Sequence, residues 1–536
     1  VGESVRQQDQ DHTRPQLGDA EEPARSGRRA RIGLGLGPLA ALAVYLPAPV
    51  GEGGLTEGGR ATAAVAVLMA VWWVAETLPL AVTSLLPIVL LPMTGALELS
   101  TTTQAYGNPL VFLFLGGFVL ALAMQRWGLH RRIALRTIRL VGTRPTRLVG
   151  GCMLAAGGLS MWVSNTATTV MMLPIGVSVL GLVAVKLRTP ADRRADQVPV
   201  PELAGEQAPS RAGELADGPA PNLGTGLMLG IAYAASIGSM ATLIGTPPNT
   251  FLAGFLAQTY GFELGFGRWM LFALPLSASF LVIGWLVLTR WAYPPEIDDI
   301  PGGAALIEQE LAALGPLSRG EWNVLVVFTL MAASWMLRGL VEDLLVGTPL
   351  AATDDPMIAI AGAVLLFALP VDWRRGVFTM DWATARQLPW GVLLLFGGGL
   401  ALAAAVADNG VDVFVGEQFA QLAELPVPLL VAIVVATVIL LTELTSNTAT
   451  AAALVPVVAG TAVVLGLDPM VLAIPTALAA TCAFALPVAT PPNAIVFGSG
   501  FVTIAQMVRV GLVLNVIGTV LIVAVSVWLA PLVFGF

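Results

Sequence analysis

Apolar runs long enough to cross a bilayer recur from residue 32 to the end of the chain, separated by short polar loops. A bilayer core takes about 20 mostly apolar residues per spanning helix. Runs near 32–50, 61–80, 81–95, 109–126, 268–291, 321–340, 356–371, 388–407 and 509–534 each read as one membrane segment. The runs 145–188, 224–260, 425–466 and 469–500 are too long for one crossing or are interrupted by helix-breaking residues, so each reads as a broken element.

Composition agrees with this pattern. The 536 residues are 56% hydrophobic and only 12% charged, with a mean hydropathy of +0.80, outside the range of soluble domains. Cys152 and Cys482 sit in apolar runs and read as small packing residues, not as a disulfide framework or metal cluster. His12 lies in a polar tail and His130 in a basic stretch, which argues against a buried imidazole proton relay. Residues 1–31 read as a disordered cytoplasmic tail ending in Arg28-Arg29-Ala30-Arg31. About 30 polar residues precede the first apolar run and no small-residue cleavage site follows it, so 32–60 reads as a retained first transmembrane helix with an outside loop. Gly33, Gly35 and Gly37 follow no strand, and helix flexibility explains them better than a nucleotide loop.

Charge orients the chain. With the N-terminus inside, and 145–188 and 425–466 threaded as hairpins that enter and leave by one face, all of the 27 Lys and Arg residues except Arg60, Arg268 and Arg338 fall on the inside. Glu342, Asp343, Asp354, Asp355, Asp408, Asp412, Glu417 and Glu424 cluster outside. The positive-inside rule thus predicts an all-α polytopic inner-membrane protein with about eleven full spans, two re-entrant hairpins of opposite entry and an outside C-terminus.

The chain also repeats itself. Gly116-Gly117 and Gly398-Gly399 are 282 residues apart, as are the identical Ser164-Asn165-Thr166-Ala167-Thr168 and Ser446-Asn447-Thr448-Ala449-Thr450. Thr246-Pro247-Pro248-Asn249 recurs as Thr490-Pro491-Pro492-Asn493, 244 residues on. The shortfall of 38 residues belongs to 187–223, a Pro-, Ala-, Gly- and charge-rich stretch that reads as a disordered cytoplasmic insert. Residues 61–291 then form repeat one, 292–320 a cytoplasmic linker and 321–536 repeat two. Opposite hairpin entry makes the repeats inverted, an arrangement in which matched broken helices mark a transport site.

Ser, Asn and Thr amid apolar residues need hydrogen-bond partners that lipid cannot supply. They are also strong N-caps, so each Ser-Asn-Thr is placed to open a helix and present N–H groups and a positive dipole end to an anion. Thr-Pro-Pro-Asn breaks a helix and leaves carbonyls free for a hard cation such as sodium. No Lys or Arg occurs at 148–185, 212–267 or 387–508, so a multivalent anion bound between these motifs needs co-bound cations. Glu443, three residues before Ser446, has Met161 as its match in repeat one, and reads as a brace for the hairpin in preference to a proton site. Glu76, before Thr77-Leu78-Pro79, lies near a helix end and reads as reaching the interface.

With Ser-Asn-Thr twice, Gly-Thr-Pro-Pro-Asn at 245–249 and Pro-Val-Ala-Thr-Pro-Pro-Asn-Ala-Ile-Val-Phe-Gly-Ser-Gly at 487–500, the sequence from about residue 61 to the end resembles the divalent anion/sodium symporter family. The resemblance implies a homodimer of scaffold and transport domains working as an elevator, with Na+ as coupling ion and C4-dicarboxylates such as succinate, malate and fumarate as substrates. It implies one sodium site at Ser160, Ser164 and Asn165 with Gly238 and Ser239, and a second at Thr442, Thr445, Asn447 and the Ala489 backbone. It puts substrate carboxylates at Asn165, Thr166, Ser446, Asn447, Thr448, Thr490 and Pro491. Gly238-Ser239 departs from the Gly-Gly of many relatives, which bears on the size of substrate accepted.

Sodium-independent dicarboxylate exchange and symport of citrate or sulfate are alternatives within that family. A channel would want a continuous polar pore, whereas these polar residues gather at two points. An enzyme would want a nucleophile–base pair or metal ligands within the membrane, and no His or Cys is placed for either. Nothing in the sequence suggests nucleic acid as a partner.

Overall fold

A computed structural model of the chain describes residues 29–46, 54–187, 221–300, 302–345, 353–418 and 424–536. The tail through residue 28 and most of the expected insert, 188–220, lie outside the described residues.

The first half opens with α1 (Arg29–Tyr45), α2 (Glu57–Val74), α3 (Leu80–Thr83), α4 (Leu86–Met93), α5 (Leu99–Gln104) and α6 (Pro109–Arg126). An arm helix α7 (Leu129–Val141) leads to α8 (Pro145–Ser160) and α9 (Asn165–Leu187), then α10 (Pro221–Ser239), α11 (Pro247–Tyr260) and α12 (Phe266–Leu286), which ends in a π-helical turn, Val287–Ala292. After α13 (Gly303–Ala313) come α14 (Arg319–Leu345) and α15 (Asp355–Ala368), the short antiparallel pair β1 (Pro370–Asp372) and β2 (Val377–Phe378), and α16 (Trp382–Ala385). The rest comprises α17 (Trp390–Asp408), α18 (Val411–Gln418), α19 (Val427–Thr442), α20 (Asn447–Val464), α21 (Met470–Thr481), α22 (Pro491–Gly498), α23 (Ile504–Trp528) and α24 (Ala530–Phe534).

The repeat seen in the sequence is carried into the element boundaries. At the 282-residue separation the end of α6 matches the end of α17, the start of α7 matches that of α18, α8 matches α19 at both ends, and Asn165 opens α9 as Asn447 opens α20. The joint before each arm helix needs a left-handed residue, supplied by Gly128 (φ 71°) and Gly410 (φ 64°). Both long apolar runs break where Ser-Asn-Thr stands, and both later runs break ahead of Thr-Pro-Pro-Asn, as the sequence predicts.

Packing interlocks the halves. In each half the first hairpin helix lies along the helix that precedes the break, α8 on α10 and α19 on α21. The second hairpin helix then packs on the far half's post-break helix, α9 on α22 and α20 on α11. Tyr233 of α10 and Phe280 of α12 meet Phe484 of the second break edge-on at 5.4 and 5.5 Å. A second group packs together: α15 lies on α6, and α17 contacts α2, α3, α4 and α5.

Among the described residues, seven helices are long and apolar enough to cross a membrane, with shorter apolar helices such as α15, α19 and α21 beside them. This is a multi-pass membrane architecture. The expected eleven full spans are not all met by single helices, because α21 and α22 are 12 and 8 residues long and neither alone spans about 30 Å of hydrocarbon. Trp291, Trp322, Trp373, Trp382 and Trp390 are exposed and lie within a few residues of Arg290, Arg319, Arg374, Arg375 and Arg386, the composition of an interfacial belt.

Two stretches expected as loop or linker are helical. Within 126–147, α7 is ordered because Arg132 is buried, at 5% exposure, and reaches Glu321 at 2.6 Å and the carbonyls of Gly315, Leu314 and Pro316. Within 292–320, α13 packs on α7, and its Glu310 pairs with Arg131 at 2.6 Å.

Candidate functional site

Each hairpin tip is a few residues of non-helical chain followed by a helix N-terminus. At the first, the Ser164 hydroxyl caps α9 by accepting the Ala167 N–H at 3.2 Å, and Oδ1 of Asn165 accepts the Thr166 N–H at 2.8 Å. At the second, Ser446 takes the N-cap position of α20 without a side-chain hydrogen bond, so N–H groups there stay open to an anion. The breaks invert this difference. Thr490 caps α22 by accepting the Asn493 N–H at 3.3 Å, while Thr246 makes no such bond to α11. Ser164, Asn165, Thr166, Ser446, Asn447 and Thr448 are all half-buried, reachable yet largely enclosed.

The break loops are held open from inside. The amide of Asn249 donates to the carbonyls of Met240 (3.0 Å) and Thr242 (2.9 Å), and that of Asn493 to those of Ala483 (3.1 Å) and Leu486 (3.0 Å). Oδ1 of each Asn is buried without a partner. The sequence shows both asparagines in the repeated motif, but only the structure shows them organising the carbonyls.

Hairpin tips and breaks are pinned together differently in the two halves. In the first, the Thr242 hydroxyl donates to the Met161 carbonyl. In the second, the matched residue Glu443 is 6% exposed and accepts the N–H groups of Phe484 (2.8 Å), Ala485 (2.8 Å) and Leu486 (3.0 Å) and the Asn515 amide (2.7 Å). Three successive N–H groups form an anion nest, and Glu443 fills it. This is the bracing geometry the sequence suggests. Asn515, a buried amide in the apolar α23, is the partner that sequence reasoning missed.

The expected sodium ligands separate into two sets. Ser160, wholly buried, has no partner for its hydroxyl, and neither has Ser236 on the facing helix α10. The helices α8 and α10 touch backbone to backbone here, since a Cβ at Gly238 would overlap the main chain of Gly157. Ser239 donates to the Ser236 carbonyl at 2.8 Å. A buried hydroxyl without a partner is costly unless a ligand supplies one, and the oxygen-rich surroundings fit a hard cation. In the second half the Thr442 hydroxyl reaches Oδ1 of Asn447 (2.9 Å) and the Ala480 carbonyl (2.8 Å). Thr445 also bonds locally. Its hydroxyl is engaged within the hairpin, with Leu441 O at 2.9 Å and Thr450 at 2.6 Å.

Residues 240–246 of the first break are all buried, whereas in the second Val488 is 75% exposed and Pro491 is exposed, with Ala489 and Thr490 beneath them at 5% and 2%. A cleft of about 580 Å³ lies elsewhere, between the α5–α6 corner, the ends of α11 and α17 and the starts of α12 and α15, with Arg338 and Asp355 paired at 3.4 Å on its wall. None of the candidate residues lines it.

Comparison with known proteins identifies the family. Residues 36–535 match the family model described as the sodium:sulfate symporter transmembrane region. The sodium-dependent dicarboxylate transporter SdcS of Staphylococcus saprophyticus is 39% identical over 508 residues, covering 94% of this chain and 92% of that one. Its namesake in Staphylococcus aureus strain USA300 is 39% identical over 506 residues, with the same coverage. The YdaH transporter of Alcanivorax borkumensis, whose crystal structure has been described as having an unusual topology, superposes with a TM-score of 0.55 over 94% of this chain and 98% of that one, at 13% identity, a likeness of fold alone. With the family model matching almost end to end, this chain is a transporter and not an enzyme, and it belongs to the divalent anion/sodium symporter family.

Proposed function

We propose that the chain is a secondary active symporter that couples sodium to the uptake of C4-dicarboxylates such as succinate, malate and fumarate. The observation that carries this reading is the pair of Ser-Asn-Thr tips, each opening a helix in a region without Lys or Arg. Helix dipoles supply only partial positive charge, so a dianion held there is balanced by cations that bind with it. The 39% identical SdcS proteins, named as sodium-dependent dicarboxylate transporters, support both the ion and the substrate class.

In this reading α8–α9 and α19–α20 are re-entrant hairpins entering from opposite faces, and the repeats are inverted. The N-terminus lies in the cytoplasm and the C-terminus outside. One sodium ion meets Ser160, Ser164 and Asn165 with the Gly238–Ser239 backbone, and another meets Thr442, Thr445, Asn447 and the Ala489 backbone. The substrate carboxylates lie between Asn165, Thr166, Ser446, Asn447, Thr448, Thr490 and Pro491. The interlocked group α8–α12 and α19–α23 moves as the transport domain against a dimeric scaffold of α2–α6, α14, α15 and α17, and the cleft at Arg338 and Asp355 separates the two. Competition for labelled succinate uptake in proteoliposomes tests the substrate class: unlabelled malate and fumarate should compete. Competition by sulfate or citrate alone would move the assignment to those anions.

A further inference from the structure

The arm helix α7 and the start of α8 carry six arginines, and two of them are committed to protein contacts. Arg132 is buried against Glu321 and the turn at 314–316, and Arg131 pairs with Glu310. These contacts fix how α7 is rolled about its axis. The other four, Arg136, Arg139, Arg144 and Arg147, are exposed, and none makes an ion pair among the described residues. Arg139 and Leu140 lie three and four residues beyond Arg136, about one helical turn on, and flank its exposed face, and Leu140 is 84% exposed. Arg147 is two turns before Leu154, which is 53% exposed on the same side of α8, so the cationic patch runs directly into apolar surface of the hairpin arm.

The fold does not require these cations. At the 282-residue separation Arg136 matches Gln418, Arg144 matches Pro426 and Arg147 matches Leu429, yet α18 and α19 take the same places as α7 and α8. A cationic face with a bare leucine in its middle, continuous with an apolar flank, suits the boundary between headgroups and acyl chains better than bulk water. The distribution of Lys and Arg puts this patch on the cytoplasmic side, where the leaflet is anionic.

We propose that Arg136, Arg139, Arg144 and Arg147, with Leu140 inserted among them, form a binding surface for anionic phospholipid headgroups of the inner leaflet. The lipid phosphates satisfy guanidinium groups that no protein acid serves, and Leu140 meets the first carbons of the acyl chains. Because α7 joins α6 to the hairpin, the bound lipid holds that joint at the membrane surface. The inference rests on the membrane orientation and not on the identity of the substrate.

The test is lipid retention by the full chain purified in detergent, read by native mass spectrometry with phosphatidylglycerol and phosphatidylcholine of matched acyl chains in competition. Wild type should prefer phosphatidylglycerol. Replacing all four arginines with Gln should remove most of that preference, at about fivefold per cation, while four Lys in the same places should keep it. Should the Gln variant fail to insert, Arg139→Gln and Arg147→Gln singly should each show about a fivefold loss. Leu140→Gln should weaken retention of phosphatidylglycerol without making inorganic phosphate a competitor. Equal preference in wild type and the Gln variants, or displacement of the lipid by inorganic phosphate, would overturn the proposal. Transport is not read, so a failure here and a failure of sodium coupling are told apart.

Discussion

Oε1 of Glu443 lies 2.8 Å from the backbone nitrogen of Phe484, which ties the second hairpin to the second helix break through a buried carboxylate. The same side chain also takes the Ala485, Leu486 and Asn515 donors, so removing it strands four N–H donors, three of them in buried bonds. Each stranded donor costs about 1–3 kcal/mol. Glu443→Ala should therefore destabilise the protein by at least ~3 kcal/mol. Glu443→Gln keeps an acceptor and should lose much less. Thermal unfolding midpoints in detergent check the order wild type, Gln, Ala, and equal midpoints for Ala and wild type would exclude the bracing role.

Asn165 and Asn447 open the two hairpin helices, and each side chain is half-buried with Oδ1 drawn to its own tip. Replacing either with Ala should abolish uptake while leaving expression and the unfolding midpoint close to wild type, because neither braces a distant element. Near-normal uptake by either variant would remove the substrate site from that tip.

The close approach of α8 and α10 at Gly157 and Gly238 predicts a different outcome. A Cβ at Gly238 meets main-chain atoms of Gly157, which cannot rotate away, so Gly238→Ala should cost about 1–3 kcal/mol and impair sodium-dependent uptake beside Ser160. Gly158, one residue along, faces open space, and Gly158→Ala should be silent. The pair of variants separates loss of the close approach between α8 and α10 from a general effect of adding a methyl group to a glycine of this helix pair.

Arg132 and Glu321 form a buried pair at 2.6 Å, with both side chains about 5% exposed. Losing one partner of such a pair costs about 3–5 kcal/mol. Arg132→Ala should lower the unfolding midpoint far more than Arg136→Ala, whose guanidinium is exposed.

Much of this architecture is legible in the sequence because punctuation and function coincide. Pro145 and Ser-Asn-Thr bound the helices of the first hairpin, and Pro428 and the second Ser-Asn-Thr those of the other. The arm helices are not legible in the same way. α7 reads as a basic loop until Arg132 is seen buried against a turn some 180 residues further on, and α13 reads as a linker until α7 is in place beneath it. Glu443 is legible as an anomaly, but its partners lie 41 to 72 residues away, so only the fold gives its role. The motif does not show that the Thr445 hydroxyl also bonds within its own hairpin, to the Leu441 carbonyl and to Thr450.

In the proposed cycle sodium drives the carrier and net positive charge moves inward. A dianion between tips that lack basic side chains is balanced by co-transported cations, and the membrane potential adds about 2.3 kcal/mol per net charge per 100 mV only if more than two cations accompany it. The direct measurement is labelled succinate uptake into proteoliposomes, with sodium replaced by potassium or choline outside and the potential set by a potassium gradient and valinomycin. Uptake should vanish without sodium and rise when the interior is made negative. Undiminished succinate exchange without sodium would contradict the account and identify an exchanger, while sodium-dependent uptake indifferent to the potential would contradict the inward movement of charge.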